Sequence, residues 1–133
     1  MIWVAPRITK PGTKCSQPVD TMSIYPTLCS LTGIEKPGHV SGHDISALLR
    51  NPKSKWQHPA ITTHGRGNHS VRTATERYIR YADGSEEYYD HTKDPYEWKN
   101  LAANSDLSRF KKWLPKKEVS SKSIKKKTKK PVK

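Results

Sequence analysis

The stretch that decides the fold is residues 69–90, which read HSVRTATERYIRYADGSEEYYD. Aromatic and β-branched side chains recur through this stretch, as is typical of strands. The Asp83-Gly84 dipeptide within it is a strong signal for a tight hairpin turn. With the residues just before it, the stretch predicts an antiparallel meander, and Thr75-Glu76 is expected to form the middle turn. The four predicted strands cover about 60–64, 69–74, 77–82 and 86–90.

A helix is predicted after the meander, over about 105–114. Leu107, Phe110 and Leu114 recur at helical spacing, Ser105 is a suitable N-cap, and a proline follows directly. We expect this apolar face to pack on the sheet. The predicted fold class is therefore α+β: a small four-stranded antiparallel sheet with a C-terminal helix packed on it.

One strand is predicted at the start of the sequence, where Ile2-Trp3-Val4-Ala5 forms a short apolar run. Chain termini normally lie in solvent, so a sequence that starts inside a buried strand is unusual. We therefore expect these residues to be part of a longer protein.

Two helices are predicted between this strand and the sheet, over about 20–32 and 45–50. Asp20 is a suitable N-cap for the first helix, and Gly33 stands where a left-handed residue usually ends a helix. Asp44 is a suitable cap for the second helix.

The charge of the chain is concentrated at its C-terminal end. The 133 residues carry a net charge of +13, from 25 Lys and Arg against 12 Asp and Glu. Residues 111–133 hold eleven Lys and one Glu, which is +10 and leaves +3 for the first 110 residues. Residues 116–133 have few large apolar side chains, so they are predicted to form a disordered Lys-rich tail. The tail is either a solvated, weakly adhesive segment or a contact for polyanions.

Composition excludes several classes of protein. No apolar run approaches the ~18 residues that a membrane-spanning helix needs, so no membrane contact is predicted. Two cysteines, Cys15 and Cys29, are too few for a disulfide scaffold or a four-cysteine zinc site. Residues 1–6 do not resemble a signal peptide.

The densest polar cluster is residues 62–69, which read TTHGRGNH. An arginine such as Arg66 can bind a sulfate or carboxylate with two parallel hydrogen bonds, and His64 and His69 can donate protons. His64, Arg66, Asn68 and His69 could therefore line an anion-binding pocket; the alternative is a glycine-rich hairpin loop with surface histidines. No metal site is predicted, because no neighbouring cysteine or carboxylate completes a ligand set.

Several short segments follow one another in a specific order. They are Ile24-Tyr25-Pro26-Thr27-Leu28, Gly42-His43-Asp44-Ile45, Val71-Arg72-Thr73, Arg77-Tyr78-Ile79-Arg80-Tyr81, Glu87-Tyr88-Tyr89-Asp90, Asp94-Pro95-Tyr96-Glu97 and Asn100-Leu101. In order and spacing, over about residues 2–114, they resemble the C-terminal part of the sulfatase family. The resemblance is greatest to its iduronate-2-sulfatase-like and choline-sulfatase-like branch. The sequence departs from the family pattern at Ser23, Asp44 and Tyr88, where the family usually has Asp, Ser and Leu.

The resemblance implies a hydrolase of sulfate esters, with sulfated saccharides as expected substrates. It also implies that the C-terminal sheet lies beside the substrate entrance, so His64, Arg66, Asn68 and His69 are the expected substrate-binding residues. Sulfatases use a formylglycine made within a C-x-P-S-R motif, together with a bound calcium ion. Neither Cys15-Ser16-Gln17-Pro18-Val19 nor Cys29-Ser30-Leu31-Thr32-Gly33 matches that motif. No catalytic residue is therefore predicted here, and calcium and formylglycine are expected only in a full-length relative.

The resemblance also divides the chain. Residues 1–55 are expected to be the end of the sulfatase α/β core, residues 56–115 an antiparallel-sheet subdomain and residues 116–133 the tail. The first hypothesis is an inactive C-terminal fragment that meets sulfated substrate only together with the N-terminal core. The alternatives are a stand-alone polyanion-binding module that uses the tail, and a subunit that complements a separate N-terminal chain. Sulfatases are commonly periplasmic or secreted, but the compartment of this chain is left open.

Overall fold

The structure is a computed structural model that describes residues 1–116. The predicted tail of residues 116–133 thus lies, apart from Lys116, outside the described residues. In chain order the elements are a 3-10 turn Thr21–Ser23, α1 Ile24–Thr32, α2 Ser46–Arg50, β1 Ala60–Thr63, β2 His69–Arg72, β3 Glu76–Arg80, β4 Glu86–Asp90, a 3-10 turn Ala102–Asn104 and α3 Ser108–Lys111.

The four strands form one antiparallel sheet in the order β1-β2-β3-β4, which confirms the predicted meander. The predicted middle turn at Thr75-Glu76 is one residue too late, because Glu76 already belongs to β3. Thr73 accounts for the difference. Its backbone N–H donates to Glu76 O at 2.9 Å, and its Oγ1 accepts the Glu76 N–H at 3.0 Å. These bonds close the turn around Ala74 and Thr75.

The core lies between one face of the sheet and α3. Val71, Tyr78 and Phe110 are fully buried, and the rings of Tyr78 and Phe110 stack with centroids 5.5 Å apart. Leu107 and Leu114 complete this cluster. The prediction of an α+β fold with a C-terminal helix packed on the sheet is confirmed.

The C-terminal helix is shorter than predicted, since α3 covers Ser108–Lys111 and not 105–114. Asp106, rather than Ser105, stands at its start and accepts the Ser108 N–H at 2.9 Å. The Ser105 hydroxyl instead donates back to Leu101 O at 2.8 Å. The apolar face nevertheless keeps its predicted burial, because turns on either side of α3 hold Leu107 and Leu114 against the sheet.

The predicted strand at residues 2–5 is wrong. This segment has no regular structure, and Ile2 and Val4 are 93% and 84% exposed. The chain turns at Ala5, whose carbonyl accepts the N–H groups of Ile8 and Thr9 at 3.0 and 2.9 Å. A strand needs a neighbouring strand for its hydrogen bonds, and within residues 1–116 none pairs with this segment.

Both predicted N-terminal helices are confirmed. Gly33 ends α1 in the left-handed conformation (φ 74°), and Asp44 accepts the Ser46 N–H at the start of α2 at 2.7 Å. Asp20 precedes the first helical turn, but its side chain caps no backbone N–H there. Its Oδ2 instead accepts the Ile61 N–H at 3.3 Å, which links the helical segment to β1.

The buried Phe110 ring yields the first test. We expect Phe110→Ala to lower the free energy of unfolding by about 3–5 kcal/mol, because the lost ring leaves a cavity against Tyr78 and Val71. Urea denaturation followed by circular dichroism measures this change. The exposed Lys112→Ala is the matched control and is expected to stay within about 0.5 kcal/mol of wild type. Equal stability of the two variants would contradict the described core.

Candidate functional site

The predicted cluster lies in the β1–β2 hairpin loop, at one end of the sheet. Asn68 holds this loop in place. Its side-chain amide donates to the carbonyls of His64 and Arg66 at 3.0 and 3.3 Å, and its Oδ1 accepts the Ala82 N–H at 3.1 Å. The asparagine therefore ties the β1–β2 loop to the β3–β4 turn beside it.

A cavity of about 330 Å³ opens at this end of the sheet. Two of the four predicted residues, Arg66 and His69, line it, whereas His64 lies on the exposed loop and Asn68 acts as its brace. The full lining is Arg66, Gly67, His69, Arg80, Tyr81, Ala82, Leu114 and Pro115. Within the described part of the chain, this lining holds two guanidinium groups and no carboxylate.

His69 forms the buried side of the cavity. Its Nδ1 lies 2.9 Å from Thr63 Oγ1 across the β1–β2 pair, and its other strand partner is Arg80. The antiparallel register thus brings the imidazole and a guanidinium to neighbouring positions on one face. Guanidinium groups bind planar or tetrahedral oxyanions with paired hydrogen bonds, so a cavity of this kind suits a sulfate or a carboxylate.

Tyr81 contributes an uncharged side chain to the lining of the cavity. Its hydroxyl donates to Glu87 at 3.1 Å, and this bond raises the pKa of the phenol. Glu87 also accepts the Tyr89 hydroxyl at 2.9 Å, while burial raises the pKa of Tyr89 to about 12. Both phenols therefore stay protonated near neutral pH, and Glu87 is engaged by them.

The composition of residues 62–69 did not reveal Arg80, Tyr81, Leu114 or Pro115 as part of the site. Arg80 was detectable only through the strand register, which pairs it with His69. Leu114 and Pro115 reach the cavity because α3 packs over the sheet, so no local pattern could indicate them.

A second charged cluster lies at the opposite end of the sheet and is centred on Glu97. Its carboxylate accepts a hydrogen bond from Arg77 at 2.9 Å and lies 2.7 Å from His91 Nε2 and 3.7 Å from Arg72. Burial opposes the ionisation of Glu97, but its interactions with His91 and Arg77 outweigh this effect. The pKa of Glu97 therefore lies below its ordinary value of 4.5. We call Arg72, Arg77, His91 and Glu97 the Glu97 cluster.

The segment Asp94-Pro95-Tyr96-Glu97 forms a turn and not a helix. Asp94 accepts the Lys99 N–H at 2.8 Å and so closes the loop. Glu97, however, adopts a left-handed conformation with φ 60°, which a helix does not allow. This conformation lets its side chain reach the three basic groups of the Glu97 cluster.

The residues described do not fit a sulfatase metal or nucleophile site. Within residues 1–116, no group of three or more His, Cys, Asp or Glu side chains is arranged to hold a metal ion. Cys15 is exposed, and Cys29 is buried inside α1. In the same residues, no helix combines the length and apolar character needed to span a bilayer.

Comparison with known proteins shows to which family the chain belongs. The sequence model of the family described as "N-sulphoglucosamine sulphohydrolase, C-terminal" matches residues 1–125. The chain belongs to the sulfatase family. It corresponds to the C-terminal part of these enzymes, which confirms the resemblance found in the sequence.

Individual sulfatases are also similar to this chain. A sulfatase of Formosa agariphila is 37% identical over 120 residues, covering 87% of this chain and 24% of that protein. A Delta 4,5-hexuronate-2-O-sulfatase of Bacteroides thetaiotaomicron is 37% identical over 119 residues, covering 75% and 24%. A solved 2-O GAG sulfatase structure aligns with TM-score 0.46 and 32% identity, covering 65% of this chain and 21% of that chain. The chain thus spans about a quarter of the length of these curated relatives.

The Glu97 cluster generates a test with a defined pH dependence. The folded-state pKa of Glu97 is lowered, so its ion pairs stabilise the fold above pH ~4.5 and lose that contribution as the pH falls through the lowered pKa. We expect Glu97→Gln to reduce the free energy of unfolding at pH 7, and its difference from wild type to shrink between pH ~4.5 and ~3. Urea titrations across this range, with the exposed Glu35→Gln as control, measure the effect. An equal difference at pH 7 and pH 3 would contradict the assignment.

Proposed function

We propose that this chain serves as the C-terminal part of a sulfatase that hydrolyses sulfate esters of saccharides, with its cationic cavity facing the sulfated sugar. The observation that carries the proposal is the convergence of Arg66, Arg80 and His69 on one cavity whose lining has no carboxylate. A relative that is 37% identical is a Delta 4,5-hexuronate-2-O-sulfatase, a name that gives a 2-O-sulfated hexuronate as the substrate of that relative.

The four residues predicted from the sequence take different parts in this proposal. Arg66 and His69 contact the anionic groups of the sugar directly. The hydrogen bonds of Asn68 keep the loop in the position that this contact requires. His64 lies at the exposed rim, where longer saccharides pass. Arg80 joins the site as a second guanidinium, so binding energy comes from two charge-assisted interactions.

The nucleophile and the metal are assigned to other parts of the full-length enzyme. The sequence has no C-x-P-S-R motif, and residues 1–116 hold no metal-binding group. Formylglycine would supply the nucleophile there, beside a bound calcium ion. The residues of this chain bind and orient the saccharide.

The proposed division at residue 55 is supported by two separate buried groups. One consists of Val71, Tyr78 and their α3 partners. The other lies around α1 and α2 and includes Thr27, which donates to Ser23 O and accepts the Ile45 N–H. Apolar side chains on the outside of α1 and of the 3-10 turn before it are exposed, which suits contact with the remaining core of the enzyme. They are Met22, Ile24, Tyr25 and Leu28.

A chimera tests the proposal. The matching C-terminal residues of the Bacteroides thetaiotaomicron relative are replaced by this chain, and sulfate release from a Δ4,5-hexuronate-2-O-sulfated disaccharide is measured. We expect the chimera to be active. Arg80→Gln in the chimera should raise KM by about tenfold with little change in kcat, because a ground-state contact with the sugar is lost.

Arg50→Gln is the matched control, since it removes an exposed arginine at the end of α2. It is expected to leave KM unchanged. A folded chimera without sulfate release, or an Arg80→Gln variant with the KM of its parent, would overturn the proposal.

A further inference from the structure

Two large aromatic side chains are exposed at the end of the sheet opposite the cavity. Tyr96 and Trp98 are 74% and 85% exposed, and their rings stack with centroids 5.5 Å apart and planes inclined by 24°. Side chains of this size are normally buried or used in recognition. The exposed faces of this stacked pair form an apolar surface, which we call the aromatic platform.

The loop that carries the aromatic platform is fixed at both ends. Asp94 accepts the Lys99 N–H at 2.8 Å. Asn100 bridges to β4: it accepts the Tyr88 N–H at 3.1 Å and donates to Glu86 O at 3.1 Å. A fixed loop presents the rings without the entropy cost of ordering them on binding.

Glu97 determines which way the rings point. Its side chain turns inward to Arg77 and His91. It stands between Tyr96 and Trp98 in the sequence with φ 60°, and both neighbouring rings face solvent. The left-handed Glu97 thus lies between the two exposed rings of the platform. Positions held in such a conformation cluster at functional sites.

Cationic groups accompany the platform. Arg72 and Arg77 are anchored on Glu97 and remain 43% and 38% exposed. Asp94 and Glu97 add hydrogen-bond acceptors to the same loop. This combination suits a ligand with an apolar flat face, hydroxyl groups at its edge and some negative charge. The two carboxylates make the loop less suited to a ligand with the high charge density of a nucleic acid, in which every phosphate is charged.

We propose that the aromatic platform is a second saccharide-binding site, distinct from the cavity, in which Tyr96 and Trp98 stack on a pyranose ring and Arg72 and Arg77 contact its anionic groups. The expectation that the saccharide is anionic rests on the proposed function. The two sites lie at opposite ends of strands about 15 Å long and on opposite faces of the sheet. The platform would therefore bind its saccharide independently of the cavity.

Calorimetric titration of the full chain with a chondroitin sulfate hexasaccharide tests the site. We expect Trp98→Ala to raise Kd by about tenfold, and Tyr96→Ala to have a smaller effect in the same direction. Trp98→Phe should restore most of the affinity, because it keeps an aromatic face. The Lys-rich tail is the same in all variants, so a difference in Kd between them reports the substituted ring.

Tyr25→Ala removes an exposed aromatic ring on α1 and should leave Kd unchanged. Melting temperatures equal to wild type show that the variants are folded. The proposal is overturned if Trp98→Ala and Tyr96→Ala bind within about twofold of wild type. It is also overturned if Trp98→Ala weakens the binding of a ten-residue thymidine oligonucleotide but leaves the binding of the hexasaccharide unchanged. The titration requires no turnover, so an inactive chimera would refute the proposed function and leave this site intact.

Discussion

The packing of Phe110 on Tyr78 and Val71 is the contact on which the rest of the structure depends. It fixes α3 over one face of the sheet and so brings Leu114 and Pro115 to the cavity. Tyr78 is also tied at its hydroxyl, which donates to Glu86 at 2.5 Å. Because strand side chains alternate between faces, burial of Val71 and Tyr78 directs Arg72 and Arg77 to the opposite face, where Glu97 pairs with them. One apolar contact thus determines which residues reach each site.

Much of this fold was predictable because its signals are local. The aromatic strands, the Asp83-Gly84 turn, the Gly33 helix end and the Leu107, Phe110 and Leu114 face all follow from short-range propensities. The strand at residues 2–5 was wrong because an apolar run does not reveal whether a pairing partner exists. The end points of α3 depended on whether Asp106 or Ser105 caps the helix, a choice that composition leaves open.

The site was predictable in part for the same reason. The polar loop around Arg66 and His69 is conspicuous in the sequence, but the distinct task of Asn68 appears only when its three hydrogen bonds are known. A turn at Thr75-Glu76 would pair His69 with residue 82; the turn around Ala74 and Thr75 pairs it with Arg80. The 94–100 segment was recognised as a sulfatase signature, and its physical basis is a braced loop in which Glu97 points inward and two aromatic rings point outward.

The central proposal is that the cavity of this chain faces the sulfated sugar. Hydrogen–deuterium exchange of the chimera, with and without a nonhydrolysable 2-O-sulfated hexuronate disaccharide, tests it most directly. We expect backbone amides in residues 64–69 and 80–82 to exchange more slowly when the ligand is bound. Unchanged exchange in both segments, with protection confined to the part contributed by the parent enzyme, would contradict it.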